Sequence, residues 1–423
     1  MIALRTAYDR KYHAAAHTSE YLFNQLIPYI GNKRKLLKLI EQAIQQASPK
    51  KGTFLDLFAG SGVVSRMAKL LGYRVISNDW EPYAQAINRC YIACNRPPKF
   101  SSLGGYQQAI DRLNRLPAKA GWITKHLCPR DDADYDIRTD RMFYMRKNGM
   151  RIDAIRGQIA AWKDSGRLTD AEEACLLAPL VYQACYRSNT SGVFKGFHNG
   201  WGGQTKTALY RIATDLRLDA PVFHDNGQRN LVFREDAQTL AERLASEEVA
   251  IAYLDPPYNQ HPYGSNYHVL NSIVLWDKPE LSKQITRGTK AAIRLDWRTE
   301  RRSAYNYKEE ASAAYRRLLH ALNARYILTS YSTDGTIPLD DMLQANVARG
   351  HVSVVMQGYK RYRVSSQRFS TKPMNVEFVL ALDTRRKSKA SADELREMIE
   401  THESTVLRAH SERGESSEEP IRP

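Results

Sequence analysis

The sequence predicts an α/β protein with a doubly wound sheet and a second, partly helical domain inserted into it. Three observations carry that expectation. The run Thr53-Phe54-Leu55-Asp56-Leu57-Phe58 is followed by the glycine loop Ala59-Gly60-Ser61-Gly62 and then by residues of helical character. A second apolar run, Val249 to Leu254, closes on Asp255-Pro256-Pro257-Tyr258. Both read as carboxyl ends of neighbouring strands, yet the chain between them far exceeds the dozen or so residues of an ordinary crossover, so a separate unit must intervene.

Taken in order, Tyr29-Ile30-Gly31-Asn32-Lys33 leads into a helix over 34–47, where Leu36, Leu37, Ile40, Ala43 and Ile44 recur at helical spacing. Residues 53–58 form the first strand, and Val63 to Leu71 the next helix, with Gly72 as its C-cap. The second strand, Tyr73 to Asp79, ends in an acid. That acid stands about 20 residues beyond the glycines, where α/β nucleotide sites hold the acceptor for ribose hydroxyls. The loop is not the dinucleotide G-x-G-x-x-G pattern, but its glycines allow a ligand close to the backbone. Strand, glycine loop, helix, strand and acid together point to an adenosine-containing ligand.

The tetrapeptide at 255–258 has its own chemistry. An aspartate accepts from an exocyclic amino group, a proline cannot donate but keeps its carbonyl, and a tyrosine offers a face for stacking. A nucleobase amino group fits that set; the plainer alternative is a strand followed by a proline turn.

In order, Y-x-G-N-K, D-L-F-A-G-S-G, N-D and D-P-P-Y resemble the D12-class, Dam-like (alpha-group) family of DNA adenine-N6 methyltransferases. The likeness runs on through Asn259-Gln260-His261-Pro262-Tyr263-Gly264-Ser265-Asn266-Tyr267-His268 and covers residues 26 to 96 and 226 to 382. It implies a Rossmann-like methyltransferase sheet, S-adenosyl-L-methionine as cofactor, and a flipped adenine in double-stranded DNA as substrate. By position, Tyr29, Lys33, Asp79 and Asp255 match the family's cofactor-binding residues, and Asp56, Gly60 and Gly62 line the same pocket. Asp236, after the third strand Asn230-Leu231-Val232-Phe233, would face the cofactor's adenine. Asp255, Pro256 and Tyr258 carry the chemistry. Tyr29 stands where tryptophan is common in Dam, and Asn32 where glycine is, two departures that fall at the edge contacts of the cofactor. The target sequence is not carried over, because the insert does not match the Dam recognition hairpin. Aspartate at 255 favours adenine, since serine is the usual first residue in the cytosine-N4 group. The alternatives are a cytosine-N4 or RNA adenine methyltransferase, and a DNA-binding module without activity; four intact motifs favour the enzyme.

The insert spans Pro97 to Asp225 and is expected to be the target-recognition domain, with 1–96 and 226–383 forming a discontinuous catalytic domain. Within it, Arg151 to Arg187 reads as helical with a break at Ser165-Gly166, and Ser188 to Gln204 as a hairpin-like stretch rich in glycine and aromatics. Lys195 and Arg211 are candidate phosphate contacts there, and Asn189 and Gln204 candidate base-edge readers. Ala291 to Leu295 and Arg325 to Tyr331 are further strand candidates, and Val352 to Tyr359 with Asn375 to Leu382 an antiparallel pair. The loop joining that pair carries Lys360 and Arg361, placed to touch a DNA backbone. From 384 to 423 the chain is a charged tail, expected to hold a helix at Ala392 to Arg408 and otherwise to be flexible.

Composition agrees. Across 423 residues, 62 lysines and arginines against 46 acids give a net charge of +16, suited to a polyanion. No apolar run approaches membrane-spanning length and Met1 to Glu20 has no signal-peptide core, so a cytoplasmic protein is expected. Cysteines 90, 94, 128, 175 and 185 have no framework spacing and read as helical core thiols rather than metal ligands. A restriction endonuclease acting on the same site is a candidate partner; whether the protein works beside one is not legible in the sequence.

Overall fold

A computed structural model describes residues 20–47, 50–282, 285, 291, 293–360 and 374–415. Its strands are β1 (Thr53–Asp56), β2 (Arg74–Asn78), β3 (Leu231–Phe233), β4 (Val249–Leu254), β5 (Ala324–Ser332), β6 (His351–Lys360) and β7 (Met374–Asp383). They form one seven-stranded sheet in the order β3-β2-β1-β4-β5-β7-β6. The β2–β3, β1–β4 and β4–β5 pairs are parallel, whereas β7 runs antiparallel to both β5 and β6. The expected doubly wound α/β sheet is therefore present. Strand order reverses at β1 and β4, the switch point where such sheets hold ligands.

Packing divides the chain into two compact units. One contains residues 35–58, 237–260 and those from Ser303 onward. It holds β1, β4, β5, β6 and β7. β4 is buried along nearly its whole length, as expected of a parallel strand covered on both faces. The helix Leu37–Ala47 turns Leu37, Leu39, Ile40, Ala43 and Ile44 inward, close to the predicted stripe. Tyr315, on the helix Lys308–Ala321, shares a short hydrogen bond with Thr329 of β5 and accepts from Asn346 of the helix Leu339–Arg349. The tail departs from expectation. Its helix runs from Ala392 to Glu415, starts from a reciprocal Ser391–Glu394 cap, and buries Leu395 and Ile399. That pair at i and i+4 is enough apolar stripe to dock a highly charged helix.

The other unit comprises the described residues up to Arg34 together with 59–236 and 261–302. It holds β2 and β3 and all of the insert. The helix Val63–Leu70 follows the glycine loop, and Pro82–Asn88 follows β2. The insert's long helices are Arg146–Asp164 and Asp170–Tyr186, separated near the predicted break by a turn that ends in a Thr169–Glu172 capping box. Their core is continuous with Tyr83, Ile87, Tyr267 and Leu270, so the insert packs as part of this unit. Cys90, Cys128, Cys175 and Cys185 are buried in it, and Cys94 lies with its sulfur 3.8 Å from that of Cys175.

Two strand expectations fail. Ser188 to Gln204 contains no strand; it is an irregular loop in which Gly192, Gly200, Gly202 and Gly203 all have positive φ. Repeated left-handed turns interrupt the extended backbone that a ladder needs. Residues 293–295 are also outside any strand, with Arg294 drawn into ion pairs with Asp277 and Asp296.

Candidate active site

The unit that carries β2 and β3 supplies the glycine loop and the acid. Gly60 and Gly62 have φ of 51° and 78°, the left-handed region that favours glycine. Their neighbours leave no room for a side chain. A Cβ on Gly60 would lie 2.8 Å from the Tyr29 ring, and one on Gly62 would lie 2.2 Å from Asn88 Oδ1. Asn88 Nδ2 donates to the Gly60 carbonyl at 3.2 Å, fixing the loop from behind. Asp79, one residue past β2, accepts from the N–H of Gly60 at 2.7 Å and from that of Glu81 at 2.9 Å. A carboxylate has about four lone-pair sites, so capacity for further donors remains. Burial pushes the Asp79 carboxyl up to about 6, although the N–H groups of Glu81, Gly60 and Trp80 pull it down.

Tyr29 stacks against Tyr263 and Tyr267, with ring centroids 5.1 and 5.0 Å away, and accepts from the Tyr83 hydroxyl at 3.3 Å. Lys33 is buried in the short turn Lys33–Lys35. Asp236 follows a clamp in which Asn78 Nδ2 donates to the Glu235 carbonyl and the Glu235 N–H donates to Asn78 Oδ1, at 3.0 and 3.1 Å. The end of β2 thus sets the backbone leading into Asp236.

Sequence reasoning missed the residues behind Asp79. Glu81 accepts from Asn271 Nδ2 at 2.6 Å and lies 3.6 Å from Arg301, which pairs with Asp296 at 2.8 Å. Burial pushes Glu81 up to about 7, opposed by Arg301 and by the Asn271 amide. The only sequence signal was an acid two residues beyond Asp79, ahead of a proline that starts a helix. Tyr263 and Tyr267 were visible only as part of the family resemblance.

The unit that carries β1 and β4 supplies the tetrapeptide. The parallel register sets Asp56 opposite Tyr253, and the Leu57 N–H donates to the Tyr253 carbonyl at 3.2 Å. The chain leaving β1 and the chain leaving β4 therefore emerge at the same sheet end. Asp56 is buried at that end, Asp255 and Tyr258 are half-buried, and Pro256 is buried. Tyr258 meets Tyr331 edge-on at 5.7 Å, and Tyr331 is itself held by the Ile337 N–H at 2.9 Å. Asn306 Nδ2 donates to the Asn259 carbonyl at 2.7 Å, fixing the exit of the tetrapeptide.

The DNA-contact expectations divide. Gln204 and Lys195 are exposed, with Lys195 Nζ 3.1 Å from His261 Nδ1. Asn189 is fully buried; its amide donates to the His198 and Gly200 carbonyls and accepts from the Gly202 N–H. Arg211 spends its guanidinium on the carbonyls of Tyr186, Ser188 and Thr190. These two are corrections: both brace the irregular loop, because its backbone lacks a ladder and side chains must satisfy it. The Lys360 side chain and Arg361 lie outside the described residues.

Comparison with known proteins agrees with this arrangement. The family model described as D12 class N6 adenine-specific DNA methyltransferase matches residues 29–312, through the insert as well as the motifs. Type II methyltransferase M.NlaIII of Neisseria lactamica is 31% identical over 339 residues, covering 79% of this chain and 92% of that protein. Type II methyltransferase M.CviAII of Paramecium bursaria Chlorella virus 1 is 31% identical over 343 residues, covering 80% and 93%. Modification methylase LlaI of Lactococcus lactis subsp. lactis is 29% identical over 346 residues; the match covers 80% of this chain and 52% of that longer protein. With glycine loop, acid and Asp-Pro-Pro-Tyr in the strand positions the motifs require, and the match extending from Tyr29 to beyond the tetrapeptide, the chain belongs to the D12 class of N6 adenine-specific DNA methyltransferases.

Proposed function

We propose that this protein transfers the methyl group of S-adenosyl-L-methionine to N6 of an adenine flipped out of double-stranded DNA at one specific sequence. The observation that carries this reading is Asp255-Pro256-Pro257-Tyr258 at the carboxyl end of β4, beside β1 at the switch point. The residues present fit the cofactor. Asp79 is a fixed acceptor with spare lone pairs for ribose hydroxyls, and the glycine loop that it anchors is held in left-handed turns packed closely against Tyr29 and Asn88. Within the same unit, Asp236 is an acceptor for an adenine amino group, Tyr29 an aromatic edge and Lys33 a further polar group; Asp56, at the end of β1 in the other unit, is proposed as a cofactor residue by its motif position alone.

When bound, S-adenosyl-L-methionine supplies an electrophilic methyl on a positively charged sulfur. The chain's residues prepare the nucleophile. Adenine N6 is a poor one because its lone pair is delocalised into the ring. Asp255 and the Pro256 carbonyl accept its two hydrogens, which favours a pyramidal nitrogen with the lone pair available. Asp255 then holds the proton that N6 gives up on methylation. Positioning and electrostatics supply the rate. A base inside a duplex cannot be reached, so it is extruded and stacks on Tyr258. The insert reads the target, with Lys195 on phosphate and Gln204 on a base edge.

The likeness to a modification methylase supports a place in a restriction-modification pair, with an endonuclease recognising the same site as the proposed partner; the proposed compartment is the cytoplasm. Among the described residues no helix is long and apolar enough to cross a membrane. Sequencing DNA from expressing cells tests the proposal: methylated adenines should recur at one sequence, and unmodified adenines throughout would refute it.

A pH dependence follows from Asp79. Ribose hydroxyls need the ionised carboxylate, and its raised pKa of about 6 lies within a usable range. Cofactor affinity should be constant at pH about 8 and fall as pH drops through about 6, approaching tenfold per unit. Asp79→Asn should bind weakly with no such slope. Calorimetry across that range decides; a flat wild-type profile contradicts the assignment.

A further inference from the structure

Residues 261–268 follow the catalytic tetrapeptide and hold two other parts of their unit at once. On one side, the Tyr263 hydroxyl donates to the Ile30 carbonyl at 3.1 Å, and the Ile30 N–H donates to the Tyr267 oxygen at 2.8 Å. Both backbone groups of Ile30 are thereby fixed, while the rings of Tyr263 and Tyr267 stack on Tyr29. On the other side, the Phe194 N–H donates to the Asn266 carbonyl at 2.7 Å, and His268 Nε2 lies 2.8 Å from the Phe194 carbonyl. Both backbone groups of Phe194 are fixed too. Phe194 is fully buried against Phe143, so it plugs the irregular loop that presents Lys195 and Gln204.

His268 is buried in this ladder, 2% exposed, and its neighbours Asn266 and Tyr267 are buried too. A carbonyl can only accept, so the ring must carry its hydrogen on Nε2. Burial pushes its pKa down to about 4, with the bond to Phe194 acting against it, and the ring stays neutral at ordinary pH. Asn266 and His268 grip the recognition loop, Tyr263 and Tyr267 grip the cofactor motif, and Tyr267 is the immediate neighbour of both Asn266 and His268. A shift of Phe194 on target engagement has no slack in which to be absorbed before reaching Ile30 and Tyr29.

We propose that residues 261–268 form a bridge that couples target recognition to cofactor binding, with His268 and Tyr267 as its positioning residues at the two ends. This rests on the reading of the insert as the target-recognition part. Coupling of this kind is reciprocal: if cofactor strengthens binding to the preferred duplex, that duplex strengthens cofactor binding by the same factor.

The test measures the Kd of S-adenosylhomocysteine, a non-reactive cofactor product, by calorimetry on the full chain. It is taken alone, with a duplex bearing the site found by sequencing, and with the same duplex changed at one base. Wild type should tighten about tenfold with the preferred duplex only, within the usual range of coupling. His268→Leu should bind cofactor normally by itself but tighten less than about twofold, and His268→Gln, whose amide can donate to the same carbonyl, should restore the effect. Tyr267→Phe, which removes the acceptor for Ile30, reports from the other end should His268→Leu fail the thermal-unfolding check. Full tightening in His268→Leu, or in Tyr267→Phe where that variant must stand in, overturns the bridge, as does a wild type that does not tighten. Exchanging residues 97–225 with those of a relative separates the two claims. An unchanged target sequence in an active chimera removes the underlying reading, whereas a changed target with full tightening in the substituted protein removes only the bridge.

Discussion

Asp255→Asn should lower kcat for methyl transfer by about a thousandfold, the scale of losing a charge placed for the transition state. The substitution keeps size and shape, so β4 and its register with β1 should survive, and thermal unfolding should move little. What changes is chemistry. An asparagine can turn donors toward an amino group that needs acceptors, and it cannot hold the proton that N6 releases. Binding of duplex DNA should stay within a few-fold. A variant retaining more than about a tenth of wild-type turnover would remove Asp255 from the centre of the mechanism.

The second large effect separates cofactor from base. Tyr258→Ala should lower turnover about 10- to 100-fold, since stacking of a base on an aromatic is worth roughly 1 to 3 kcal/mol. Its cofactor Kd should be nearly unchanged, because the proposed partner of Tyr258 is the extruded base, against which Tyr331 braces it. Asp79→Ala should do the opposite and weaken cofactor binding by about a hundredfold, through the loss of hydrogen bonds to a charged acceptor. It also releases the N–H groups of Gly60 and Glu81, so the loop that meets the ligand loses its organiser. Calorimetry and steady-state rates on both variants decide. Equal loss of cofactor affinity in the two would show that the pocket is misassigned.

Much of this was legible in the sequence for a physical reason. Strands buried on both faces read as unbroken apolar runs, and β1, β2 and β4 each end in a motif that turns the chain. The β6–β7 pair is legible to within one residue at each end. The irregular loop was misread as a hairpin because glycine and aromatic residues mark turns and strands alike; only positive φ at four glycines distinguishes them. Asn189 and Arg211 were misread for a related reason. A polar side chain in a basic loop can face a ligand or satisfy its own backbone, and sequence does not record which carbonyls lack partners. Glu81, Asn271 and Arg301 lie far apart in the chain and meet only through tertiary packing. The tail was under-read because its low hydropathy hides the two residues, Leu395 and Ile399, that dock it.

The central claim, methyl transfer to adenine N6 in duplex DNA, meets its most direct test in one measurement. Purified protein is incubated with methyl-labelled S-adenosyl-L-methionine and duplex DNA, and the DNA is digested to nucleosides and separated. Label is expected in N6-methyladenine alone and should be lost with Asp255→Asn. Label in N4-methylcytosine, label taken up by RNA but not by duplex DNA, or no incorporation into any of the three would contradict it.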